Sequence, residues 1–363
     1  MNQPRPMRIL QIVSSSATSG AERHVYQLST LLKRRGHHVE VVCPPGGWLS
    51  TQLREGDISV LETEMKGSGW FRTLGYLMRR IRKGQIDVVH THLTRATWFG
   101  VLAGSARSVP VVGTVHIGNH DQIYKRMARR RNRLVAVSNY VRGMLHGRGI
   151  PDKFIDTVYN GTDFVDFARN AGAPVHSEFG IPSDRTLIGL VGRVCREKGH
   201  MLMVDAMKSV VQEHPETHLM FVGRVEPVFD PELREAIWEA GIGENVTMTG
   251  VRHDIPRLLD SMAFTTMPSH RETFGIAAIE AMARGKAVVA SRVGGLPEVV
   301  RHQQTGLLVD LRHEELAEAV TYLLSHKDER EQMGAMGRRI VEEKFTLNHM
   351  VDRLEGVYQK TLG

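Results

Sequence analysis

Short runs of apolar and β-branched residues alternate along the chain with stretches whose apolar positions recur every three or four residues. In the first half the runs fall at 8–13, 39–43, 59–62, 88–91, 111–115, 134–137 and 157–159, with helices predicted over 21–35 and 71–82. The rhythm restarts at 187–191 and continues through 219–222, 246–249, 263–267 and 287–290. Such alternation predicts parallel sheets wrapped by helices, and its restart predicts two Rossmann-like α/β domains in tandem. Between them, the Ala-Gly-Ala-Pro and Ile-Pro-Ser-Asp segments lack periodicity and read as a linker. The expected division is therefore a first domain over 1–170, a second over 171–345, and a final helix over 346–363 set off from what precedes it.

A length of 363 residues suits two cores rather than one, and 41% hydrophobic with 24% charged residues is the balance of a globular protein. No apolar run approaches membrane-spanning length, and Met1 to Pro6 lacks the apolar region of a signal peptide. The two cysteines, Cys43 and Cys195, have no metal-ligand spacing, and a reducing cytoplasm is the expected compartment. Charge is uneven: residues 1–165 carry 24 Lys/Arg against 11 Asp/Glu, and the remainder 23 against 29.

The most specific chemical signal is Pro268-Ser269-His270-Arg271-Glu272-Thr273-Phe274-Gly275-Ile276-Ala277-Ala278-Ile279-Glu280. A helix is predicted to open near Gly275 after a strand, so the amides of Phe274, Gly275 and Ile276 offer an anion site. Glu272 lies just outside that helix and Glu280 about one turn inside it. Flanking carboxylates repel a phosphate, so they must meet uncharged hydroxyls attached to it, as in a sugar and a ribose. Upstream, Gly192-Arg193-Val194-Cys195-Arg196-Glu197-Lys198-Gly199 follows the first strand of the second domain, with Arg193 and Lys198 able to converge on one anion, a diphosphate. Cys195 reads as a packing residue.

Ser16-Ala17-Thr18-Ser19-Gly20-Ala21-Glu22-Arg23 links the first strand to the first helix without matching G-x-G-x-x-G. His90, His92 and His116 also follow or end strands. No acidic cluster accompanies them, so no metal site is expected. His116 is read as facing a sugar and His90 as a core residue. Asn160-Gly161-Thr162-Asp163 reads as a turn, and Gly294-Gly295-Leu296-Pro297-Glu298 as a loop that opens a helix, either structural or lining the diphosphate site.

Together these segments resemble the retaining glycosyltransferases of the GT-B fold, glycosyltransferase family 4 (glycosyl transferases group 1). The resemblance rests on Ser19-Gly20-Ala21-Glu22, Asn160-Gly161-Thr162-Asp163, Gly192-Arg193 with Lys198-Gly199, Thr249-Gly250, and above all Glu272 with Glu280. It implies two Rossmann-like domains facing across a cleft, with the acceptor on the first, the donor on the second, and the C-terminal helix returning to the first. It further implies that Arg193 and Lys198 hold the donor diphosphate, Glu280 the ribose, and Glu272 with Thr273, Phe274, Gly275 and Ile276 the sugar-phosphate. The backbone around Arg252 would meet the base, His116 the sugar's 6-hydroxyl and reacting carbon, and the Gly20 loop a phosphate or the acceptor. The expected reaction moves a hexose or N-acetylhexosamine from a nucleotide sugar, a UDP-sugar by preference, to a hydroxyl acceptor such as a lipid-linked or cell-envelope glycan. No metal and no other cofactor is implied. The family often has two glycines where this chain has Ser19-Gly20.

Trp70 to Lys83 is predicted as a helix with apolar residues at 70, 71, 74, 77, 78 and 81 on one face and arginines on the other, and Lys125 to Arg133 adds a second basic run. This charge reads either as the solvated face of an amphipathic core helix or as the contact to an anionic membrane surface, met peripherally from the cytoplasm. Nucleic acid is not, since no aromatic-interleaved binding motif accompanies it. A nucleotide-sugar epimerase of the same architecture, a non-catalytic nucleotide-sugar-binding protein and a dinucleotide-dependent oxidoreductase are the competing readings, the last opposed by the missing G-x-G-x-x-G.

Overall fold

The computed structural model describes residues 5–17, 20–105, 108–116, 122–129, 131–164 and 172–363. The chain divides into two compact units, residues 1–161 with 347–363, and residues 162–346.

The first unit is built on a seven-stranded parallel sheet in the order β3-β2-β1-β4-β5-β6-β7. Its strands are β1 (Arg8–Val13), β2 (His38–Cys43), β3 (Ser59–Glu62), β4 (Val88–His92), β5 (Val111–Val115), β6 (Arg133–Ala136) and β7 (Ile155–Thr157). Every residue of β4 and β5 is buried, as expected of strands covered by helices on both faces. The helix Leu347–Leu362 completes this core: Met350, Val351, Leu354, Val357 and Tyr358 join Ile9, Val13, Leu28 and Val88 in one apolar cluster. An ion pair from Glu355 to Arg35 (2.8 Å) and a hydrogen bond that Glu355 accepts from His37 Nε2 (2.8 Å) fix its polar edge.

The second unit carries a six-stranded parallel sheet in the order β10-β9-β8-β11-β12-β13. Its strands are β8 (Thr186–Val191), β9 (Thr217–Val222), β10 (Val246–Gly250), β11 (Phe264–Met267), β12 (Val288–Ser291) and β13 (Gly306–Val309). β13 escaped the sequence reading because its four residues, Gly-Leu-Leu-Val, offer too short a run to separate from a turn. In both sheets the strand order reverses beside the first strand, between β1 and β4 and between β8 and β11. Loops that leave the carboxyl ends of those strands diverge and open a crevice for ligands.

One predicted face is corrected. The helix Gly69–Arg82 buries Thr73, Leu77 and Ile81, whereas Phe71 is 75% exposed among the arginines. Thr73, Leu77 and Ile81 form one i, i+4, i+8 stripe, with the Thr73 hydroxyl donating to the carbonyl of Glu64 (2.8 Å), and Phe71, about 200° round the helix from Thr73, faces away from it.

Candidate functional site

In the second unit three loops converge at the β8/β11 reversal. The first runs from Gly192 to Gly199, the second from Pro268 to Gly275, and the third spans Arg292 to Gly295. Glycines allow them to touch backbone to backbone. Gly199 (φ +77°) would place a Cβ 1.9 Å from the Pro268 carbonyl oxygen, and Gly294 (φ +57°) would place one 1.8 Å from that of Glu272. Both positions therefore exclude a side chain on steric and backbone grounds. The amide of His270 donates to the Glu197 carbonyl (2.9 Å) and that of Gly295 to the Glu272 carbonyl (3.0 Å).

This stitching sets Lys198 against Glu272: the ammonium lies 2.5 Å from the carboxylate, with 23% and 13% of the side chains exposed. The other carboxylate oxygen accepts from the Thr273 amide (3.1 Å). Arg193 does not share that carboxylate. It pairs with Glu226 (2.8 Å) and, at 3.5 Å, with Glu197. Glu226 was not singled out in the sequence, because it stands in the loop after β9, 33 residues from the arginine it holds.

The helix Ile276–Ala283 begins beside this pair, its entry fixed by Gly275 at φ +114° and by buried Phe274 packed edge-on against Phe345 at 5.8 Å. Its first amides lack acceptors within the helix, as in any α-helix. Ile276, Ala277 and Glu280 remain half-buried while Ala278, Ile279, Ala281, Met282 and Ala283 are buried. The single open stripe of the helix thus carries both its N-terminus and Glu280. Arg252 sits in a separate cluster, paired with Glu178 (2.7 Å) and Asp254 (2.7 Å) over the Phe179 ring. Its hydrogen bonds to Asp254 and Glu178 raise its already high pKa further, so the guanidinium stays charged beside the β10 end.

In the first unit, the carboxyl ends of β4 and β5 bring His92 and His116 together, and His24 joins them from the helix Gly20–Arg34. His92 Nδ1 lies 3.3 Å from His116 Nε2, and His92 Nε2 3.0 Å from Gln11 Oε1. His24 stands edge-on to His116, ring centroids 4.8 Å apart. His90 is a core residue, its two nitrogens bonded to the hydroxyls of Tyr358 and Thr114 at 2.7 Å each. Burial holds His24, His90 and His92 neutral, well below the usual histidine range, and pushes His116 down to about 3, with a further lowering from His90. His24 and Gln11 carried no spacing signal, since they stand on different elements and meet His92 only through the sheet. Gly20 opens the helix Gly20–Arg34, while Thr18 and Ser19 of the preceding loop lie outside the described residues. Among the described residues neither cysteine is placed as a nucleophile: both are buried, and burial pushes the Cys43 thiol up to about 12.

Two family models match the chain, Glycosyltransferase Family 4 over residues 18–165 and Glycosyl transferases group 1 over residues 174–340. The chain belongs to these glycosyltransferases.

The solved structures place the chain in the GT-B fold. A glycosyltransferase from Rickettsia africae superposes with a TM-score of 0.90 at 24% identity, covering 99% of both chains. Anabaena HepE in complex with UDP-glucose gives a TM-score of 0.87 at 21% identity, covering 97% of this chain and 99% of that one. Among curated relatives, the D-inositol 3-phosphate glycosyltransferase of Segniliparus rotundus is 33% identical over 214 residues, 57% of this chain and 47% of the relative. The alpha-maltose-1-phosphate synthase of Mycolicibacterium smegmatis is 31% identical over 228 residues, 58% of this chain and 57% of the relative. The match thus spans about half the length of each of these two relatives.

Proposed function

We propose that the chain is a retaining hexosyl- or N-acetylhexosaminyltransferase that uses a nucleotide sugar, a UDP-sugar by preference, and a hydroxyl acceptor. The observation that carries this reading is the Lys198–Glu272 pair at the mouth of the helix Ile276–Ala283, with Glu280 on that helix's one open stripe. A donor diphosphate at this helix end takes Lys198 and Arg193 from their carboxylates. Glu272, released toward the sugar, accepts its hydroxyls, and Glu280 accepts those of the ribose. The backbone of Thr273, Phe274, Gly275 and Ile276 cradles the phosphates. The HepE complexes with UDP and with UDP-glucose support the choice of donor base.

In the transfer, the bond from the anomeric carbon to the diphosphate oxygen breaks and the acceptor oxygen bonds to the same face, its proton passing to the departing diphosphate. Negative charge grows on that diphosphate, and Arg193, Lys198 and the helix N-terminus stabilise it where it develops. These groups supply the positive charge that a divalent ion supplies elsewhere, so the reading is metal-independent. His116 acts on the sugar's 6-hydroxyl and the reacting carbon, the Gly20 loop on the acceptor side. The acceptor we propose is a lipid-linked or cell-envelope glycan, approached from the cytoplasmic face of a membrane.

Calorimetry with UDP, GDP and ADP, with and without a chelator, tests the donor site on the wild type and on Glu280→Ala. One nucleotide is expected to bind irrespective of chelator and about ten- to hundredfold more weakly to the variant, the loss of a charge-assisted hydrogen bond. Absence of binding by all three would overturn the assignment of the two glutamates and the Arg-Lys pair. Product analysis with donor alone separates transfer from epimerisation.

A further inference from the structure

The hydrogen bonds around His92 fix the tautomers of the histidine cluster. The Ser29 hydroxyl donates to the Val25 carbonyl (2.7 Å), so its oxygen must accept from Gln11 Nε2 (2.8 Å). The Gln11 carbonyl oxygen therefore faces His92, and His92 Nε2 donates to it (3.0 Å). In a neutral ring this leaves a lone pair on His92 Nδ1, which accepts from His116 Nε2 (3.3 Å).

That is the arrangement of a metal-binding histidine, whose second ring nitrogen typically donates to a carbonyl or carboxylate behind it. The buried Nε2 of His24 has no hydrogen-bond partner of good geometry, although the Asn160 side chain, its Oδ1 likewise unsatisfied, interacts with this ring, and such a polar atom is costly unless something occupies the position it faces. One ligand nitrogen from each of His24, His92 and His116 lies within 4.8 Å of the others. A tetrahedral ion with bonds of about 2.0–2.1 Å sets its ligands roughly 3.4 Å apart. The His92–His116 separation of 3.3 Å already meets this, and a turn of the His24 ring closes the rest.

We infer that His24, His92 and His116 form a binding site for a borderline-soft divalent cation, Zn²⁺ foremost, with water as a fourth ligand. The ion takes the place of the proton that His116 now donates to His92 and satisfies His24. It is a ligand of the first unit, distinct from the cations that meet the donor diphosphate. Where the transferase reading holds, it is an inhibitor, because it withdraws His116 from the sugar.

Competition for Zn²⁺ against a chromophoric chelator tests the site on the full chain and needs no transfer assay. One equivalent is expected to be withdrawn by the wild type. His24→Ala should bind more weakly by at least about tenfold, and Gln11→Ala, which removes only the supporting carbonyl, by about ten- to hundredfold. Each variant's unfolding midpoint without zinc reports its integrity. On the unaltered protein, Zn²⁺ should shift the imidazole ¹⁵N resonances of these three histidines together. No uptake by the wild type, unchanged affinity in folded His24→Ala, or uptake that leaves those resonances unmoved would each overturn the site while leaving the nucleotide-binding test untouched.

Discussion

Lys198 holds Glu272 at 2.5 Å in a position where neither group is well hydrated. On the proposed function, truncating Lys198 to Ala removes a cation that stabilises the leaving diphosphate, and it leaves the half-buried Glu272 carboxylate without its partner. The transfer rate is expected to fall by about 10²–10³, the effect of deleting one group that stabilises developing charge, and steady-state kinetics with the identified donor check it. The buried histidines make a separate prediction. His24, His90 and His92 sit well below 6.5 and His116 at about 3, chiefly because of burial, so below pH 6.5 the unfolded chain binds protons that the folded one refuses. Stability is complete above about pH 6.5 and is lost as pH falls, by up to about 1.4 kcal/mol per pH unit for each histidine. Urea midpoints at pH 7.5, 6 and 5 should show this slope, and His90→Gln should lessen it by one proton. At this scale the sequence pointed to residues that stand close together in the chain, such as Glu272 and Gly275, which one loop carries. It concealed His24, Gln11 and Glu226, whose partners arrive through tertiary packing.

The elements around the donor loops were legible because each signal sat at the end of a β-branched run, where a parallel sheet delivers its loops. What the runs did not reveal was how the loops lock together. Gly294 read only as part of a loop that opens a helix, yet its missing side chain is what lets the third loop lie on the carbonyl of Glu272. Gly294→Ala combines a left-handed φ with a backbone clash, so a loss of about 2 kcal/mol or more is expected, with weaker nucleotide binding because Glu272 moves. Urea denaturation and calorimetry measure the two effects, and a variant as stable as the wild type would show that the loops separate freely. The helix Gly69–Arg82 taught the opposite lesson. Its apolar positions were visible, but polar Thr73, whose buried hydroxyl finds the Glu64 carbonyl, sits in the core stripe where Phe71 was expected, and periodicity carries no information about such a bond.

Across the whole molecule the charge asymmetry is the feature that packing leaves unexplained. Residues 1–165 hold 24 Lys/Arg against 11 Asp/Glu, and exposed Phe71 lies on the helix that also carries Arg72, Arg79, Arg80 and Arg82. If this surface meets a membrane, each basic residue near anionic lipid contributes roughly 1 kcal/mol, and flotation with phosphatidylserine vesicles should exceed that with neutral ones and fade with salt. Equal recovery from both would remove the membrane reading. No helix among the described residues is long and apolar enough to cross a bilayer.

The helix Leu347–Leu362 belongs to the core of residues 1–161, although 162–346 are made between them. A nascent chain ordinarily folds its leading domain while the ribosome is still at work on the next. Here the leading sheet emerges with Tyr358 and its neighbours still unsynthesised, so His90 and the apolar floor beneath that helix wait uncovered through the translation of the entire second unit. The unit that is born first is the last to be sealed, and its surroundings during that interval, rather than its final stability, decide how much of it reaches the native state.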